Sequence, residues 1–88
     1  MLNKSADSIV KTFDILNEVL DSNRCKSVQV LSSRLTHNGK CYFVAHVVFE
    51  SRMREKVLTL IDDTFHGDIY PVRAGKTFVD YAVAEREA

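Results

Sequence analysis

Eighty-eight residues, 45% apolar and 27% charged, can build one hydrophobic core and so a single domain over residues 1–88. One proline, three glycines and this apolar content exclude a disordered chain, and no apolar run approaches the ~20 residues that cross a bilayer. Twelve basic residues balance twelve acidic ones, so no overall field draws the chain to nucleic acid or an acidic membrane, and any anion must be met by a local cluster.

The chain opens on Met1-Leu2-Asn3-Lys4, a polar lead without the apolar core of a signal segment. From Ser5 to about Ser22, Ile9, Phe13, Leu16 and Leu20 recur at helical spacing, with Val10 and Val19 beside them. Ser5 reads as the N-cap. Asp7 falls in the first turn, where the helix dipole favours an anion and where it pairs with Lys11 one turn on. Asp21-Ser22-Asn23 ends the helix.

Lys26–Thr36 and Lys40–Glu50 read as the two arms of a β-hairpin around Asn38-Gly39. This dipeptide is the strongest short signal for a type I′ turn, because both central residues take positive φ. A two-residue loop there fixes the register: Leu35 faces Tyr42, Ser33 faces Val44, Leu31 faces His46 and Gln29 faces Val48. On the other face Arg34 meets Phe43, Ser32 meets Ala45, Val30 meets Val47 and Val28 meets Phe49. The register also separates Cys25 from Cys41 by roughly 30–35 Å at ~3.3 Å per residue, far beyond the ~7 Å that a disulfide spans. Two reduced thiols suit a cytoplasmic protein.

Ser51 reads as the cap of a second helix with its apolar stripe at Met53, Val57, Leu60, Ile61 and Phe65, ended by Gly67. Ile69–Val72 is then a short strand that Pro71 confines to an edge or a bulge. Arg73-Ala74-Gly75-Lys76 looks like a turn, Thr77–Ala84 a further strand, and residues 85–88, like residues 1–4, flexible ends. The fold class is α+β: a two-layer sandwich of order α-β-β-α-β(-β), two helices on one face of a largely antiparallel sheet.

Chemistry-bearing patterns are sparse. Gly75-Lys76-Thr77 lacks the glycine five residues earlier that a phosphate loop needs, since Tyr70 stands there. His37, His46 and His66 have no zinc-ligand spacing; Asp62 and His66 share a helix face but make only half a site. No metal and no cofactor is expected, unless His46 takes ligands from a second copy. Arg52, Arg54 and Lys56 open the second helix against its dipole, which makes them the candidate anion or nucleic-acid cluster, with Lys40 and Arg34 as outlying helpers. The nucleophile and base candidates Cys25, Cys41, His46 and Asp80 show no spacing signature, so the chain is expected not to be an enzyme.

The strand Tyr42-Phe43-Val44-Ala45-His46-Val47-Val48-Phe49-Glu50, set in the order α-β-β-α-β from about Ile9 to Val72, resembles the cytosolic C-terminal domain of cation diffusion facilitator transporters. The resemblance implies a dimeric scaffold and sets His46 at a position that binds a regulatory metal in some members. Ser51-Arg52-Met53-Arg54-Glu55-Lys56 and Ile69-Tyr70-Pro71-Val72 depart from the family, lacking its Ala-His at the second helix and its third-strand ligands.

The functional expectation rests on the sheet face turned away from the helices. Leu31, Leu35, Tyr42, Val44, His46 and Val48 share it, where a solvated sheet would carry polar side chains. Such a patch marks an interaction surface, and two-fold pairing is the commonest assembly. The expected function is a non-catalytic protein-binding or regulatory domain that forms a homodimer or takes a protein partner through this face. The last strand or the tail is the other candidate cover. The rival readings are a nucleic-acid or phosphate-binding module at Arg52, Arg54 and Lys56, and a metal-responsive dimer at His46; no membrane insertion is expected.

Overall fold

A computed structural model describes residues 4–86. The order is α1 (Ala6–Ser22), β1 (Gln29–His37), β2 (Lys40–Val48), a 3₁₀ turn (Ser51–Met53), α2 (Arg54–Phe65), β3 (Tyr70–Ala74) and β4 (Phe78–Arg86). The strands form one antiparallel sheet in the order β1-β2-β4-β3. This is the α+β sandwich that the periodicities predict, and its last strand lies in the interior of the sheet.

Local chemistry explains most boundaries. Ser5 caps α1, its Oγ accepting from the Ser8 N–H at 3.4 Å, and the Asn23 side chain closes the other end by donating to the Val19 carbonyl at 2.8 Å. Asn38 and Gly39 take φ of 52° and 76°, as the hairpin turn requires. The register from Gln29↔Val48 to His37↔Lys40 follows pair by pair. Both cysteines are free.

Several boundaries differ from the sequence reading. Ser51 does not cap α2, because residues 51–53 first make a 3₁₀ turn and the helix starts at Arg54 behind Met53, with no side-chain cap. The other end of α2 is as read, with Gly67 following the C-cap at φ 88°, and His66 before it is left-handed too, at φ 49°. Arg73 and Ala74 belong to β3, not to a turn, and β4 runs on through Glu85 and Arg86, which pair with Tyr42 and Cys41 in place of the expected loose end. The long second strand offers ladder partners that far, and Lys40 meets Glu85 at 3.7 Å. Lys4, also expected in a loose end, donates from its Nζ to Thr12 Oγ1 at 3.5 Å; the rest of the two expected ends, residues 1–3 and 87–88, lies outside the described residues.

The core lies between the helices and one sheet face. Leu16 and Leu20 of α1 and Val57, Ile61 and Phe65 of α2 meet Ala45, Val47, Val79, Tyr81 and Val83, with Ile9, Phe13, Val28, Val30 and Leu60 around them. Burying one such side chain contributes about 1.5–3 kcal/mol. Phe43, expected in this patch, lies outside it; its ring instead carries the Arg34 guanidinium at 5.6 Å.

Two β-bulges interrupt the ladders. One sets Val83 between the pairs Val44↔Ala82 and Phe43↔Ala84. The other sets Val72 between the pairs Pro71↔Tyr81 and Arg73↔Asp80.

Candidate functional site on the open sheet face

Period-two alternation sorts each strand between two faces. With both helices on one, the other receives Leu31 and Leu35 from β1, Tyr42, Val44, His46 and Val48 from β2, Phe78, Asp80 and Ala82 from β4, and Tyr70 from β3. No helix covers this face among the described residues, and β4 widens it instead of crossing it.

All six residues expected at an interface are therefore neighbours, but they are not equally open. Tyr42 and Val44 are buried and form a small cluster with Ala82, against which Leu35 and Val72 pack. His46 and Val48 are half-buried. Leu31 is 49% exposed at the β1 edge and Tyr70 39% exposed at the β3 edge. Partial desolvation raises the Tyr70 phenol above its ordinary pKa, and the neighbouring Tyr42 adds to the rise.

A polar row crosses the middle of the face. Leu31↔His46, His46↔Asp80 and Asp80↔Arg73 are successive cross-strand pairs on β1, β2, β4 and β3. Asp80 is 1% exposed. Its Oδ1 meets His46 Nδ1, and its Oδ2 accepts from Arg73 Nε at 3.0 Å. Phe78 neighbours both partners: the His46 ring lies 5.5 Å from its centroid, tilted by 37°, and the Arg73 guanidinium carbon 5.3 Å away.

The bulge at Val72 makes this row. In a regular strand Tyr70 and Val72 would share the open face and Arg73 would point to the helices. The extra residue instead sets Arg73 opposite Asp80.

An ionised carboxylate only accepts hydrogen bonds, so His46 Nδ1 carries the proton in that contact. His46 Nε2 is left as a lone-pair site when the ring is neutral and as a donor when it is protonated. Neither Nε2 nor the terminal guanidinium nitrogens of Arg73 have a partner among the described residues.

The other sequence candidates do not converge. Arg52 binds Glu50 at 2.7 Å, Arg54 donates to the Gly75 carbonyl at 3.3 Å, and Lys56 donates to the Asn23 carbonyl at 3.1 Å. Each cation of that cluster thus reaches a different neighbour. Of the outlying helpers, Lys40 pairs with Glu85 and Arg34 lies on Phe43. Asp62 and His66 meet only through the backbone, where the His66 N–H donates to the Asp62 carbonyl at 2.9 Å. Cys25 is buried, and Cys41 lies beside Thr36 at 3.6 Å. No group of three or more metal-ligating side chains occurs among the described residues.

Sequence reasoning names His46 and Asp80 but cannot join them, and it misses Arg73 and Phe78. The one available signal is Asp80 itself, a single charge inside Phe78-Val79-Asp80-Tyr81-Ala82-Val83-Ala84. No family model, no curated protein and no solved structure matches this chain.

Proposed function

We propose that this chain is a binding domain whose working surface is the open sheet face and whose partner is a second copy of itself. The observation that carries the reading is that two of the three exposed large apolar side chains, Leu31 and Tyr70 (the third is Val10 on α1), stand at opposite edges of one face that no helix covers among the described residues. A two-fold axis along the strands, between β2 and β4, sets β1 of one copy over β3 of the other. The Leu31 edge then meets the Tyr70 edge twice. A formal charge of zero leaves no net repulsion to oppose such pairing.

Light scattering after size exclusion tests this at tens of micromolar chain. The expected result is a dimer that Leu31→Glu converts to a monomer, since a charge placed there meets apolar surface on the other copy. Leu31 is exposed in the single chain, so this substitution leaves the fold intact, whereas Val44 is too deeply buried to serve. A wild-type monomer, or a dimer indifferent to Leu31→Glu, overturns the reading.

A further inference from the structure

We propose that His46, Asp80 and Arg73 form a receptor for one carboxylate carried on a flat apolar body, a small organic acid bound on the open face. The receptor lies on the face that the dimer reading covers, so it belongs to the single chain and competes with pairing; every contact comes from one chain.

The starting point is Asp80. A carboxylate buried to 1% exposure, away from the main core, costs the sheet its hydration and needs compensation. The compensation comes from two cationic or donor groups that the chain brings from the two flanking strands, one to each carboxylate oxygen. For stability alone this is an unfavoured solution, since apolar residues of similar volume serve such positions as well. As a device for orienting donors it makes sense: the carboxylate fixes the His46 ring through Nδ1 and the Arg73 fork through Nε, and the remaining nitrogens of both have no partner among the described residues.

Those remaining groups define the ligand. The guanidinium has four N–H donors beyond the one given to Asp80, in the planar geometry that suits a carboxylate. His46 Nε2 adds a fifth donor when protonated, or accepts from a protonated acid when neutral. In the single chain Arg73 is half-exposed and His46 has 28% of its side chain open, so both can be reached from solvent there. The Phe78 ring neighbours both groups, and Leu31 and Val48 border His46. Small-molecule sites use a few polar groups beside apolar and aromatic side chains to fix a ligand's orientation. The bulge at Val72 supplies an independent argument, because bulges re-aim side chains beside binding sites and this one turns Arg73 onto the face.

The experiment is a titration of the wild-type chain with sodium benzoate, read on the ring resonances of His46 and Phe78. Benzamide and inorganic phosphate are the controls, and light scattering on the same samples reports the number of copies. Saturable shifts with benzoate are expected, with far weaker ones for benzamide, which has the ring without the charge, and for phosphate, which has charge without the ring. Arg73→Gln should weaken benzoate at least tenfold, about 1.4 kcal/mol. Arg73→Lys should recover only part of this, since the charge returns without the fork. No saturable shift with benzoate overturns the proposal, as do equal responses to benzamide, equal responses to phosphate, or indifference to Arg73→Gln in a folded variant. A monomer that binds benzoate keeps the receptor and removes the dimer; a dimer blind to benzoate does the reverse.

Discussion

Asp80 decides the character of the face at the scale of a single residue. Its two partners keep much of their contact with water, while Asp80 has almost none. The cost of breaking the cluster is therefore asymmetric. Removing Asp80 frees two groups that water can solvate, so Asp80→Val, a β-branched residue of nearly the same size at a strand position, should change stability by about 1 kcal/mol or less. Removing the partners leaves a bare carboxylate in the sheet, and the double variant His46→Ala, Arg73→Ala should lose about 3–5 kcal/mol. Denaturant unfolding of the two proteins makes the comparison. Equal losses would mean that the triad is a structural tie like any other buried pair, and the argument for an orienting role would fail with it.

The elements show why some of this is legible in the chain and some is not. Asn38-Gly39 imposes a two-residue turn, and a two-residue turn leaves one register, so the pairing Leu31↔His46 can be read from the chain. The same register correctly keeps Cys25 and Cys41 apart. Pro71 likewise announces an edge strand, since a central strand cannot lose that N–H. The bulges at Val72 and Val83 carry no such signature, because any residue can be the extra one, and each inverts the alternation beyond it. Arg73 therefore reads as a turn residue, and the row that gives His46 its two neighbours stays hidden. Gly75 tests the β3–β4 connection. A Cβ there would fall 2.9 Å from Phe78 Cδ1 and closer still to Cε1, so the ring beside His46 and Arg73 must move. Gly39→Ala meets nothing within 4 Å, but its φ of +76° strains any side chain. Both changes should cost on the order of 1–2 kcal/mol, one by crowding and one by backbone strain. Only Gly75→Ala should displace the His46 ring resonances. Unchanged His46 signals in Gly75→Ala would show that Phe78 does not hold the ring.

Across the whole molecule the two faces of one strand do different work. β4 sends Val79, Tyr81 and Val83 into the core under the helices and Phe78, Asp80 and Ala82 to the open face. Anything that loosens the core layer therefore also reaches the receptor row. Tyr81 offers a clean way to see this, because its phenol is buried in that core and can be titrated from outside. Burial pushes its pKa up to about 12, with the Asp62 charge adding to the rise and Arg54 opposing it. In the unfolded chain the same phenol ionises near its ordinary value of 10.0. Below that value both states hold the proton and stability does not depend on this group. Between about 10 and 12 the unfolded chain releases the proton while the folded chain keeps it, so stability must fall as pH rises. The slope approaches about 1.4 kcal/mol per pH unit, for a total loss of about 2–3 kcal/mol, and levels off above the folded value. Tyr81→Phe should remove that component while leaving the contribution of the other tyrosines, so the measurement is the difference between two denaturation series across this range. Parallel curves for wild type and Tyr81→Phe would mean that the phenol already reaches water, and that the core layer beneath the open face is looser than its burial implies.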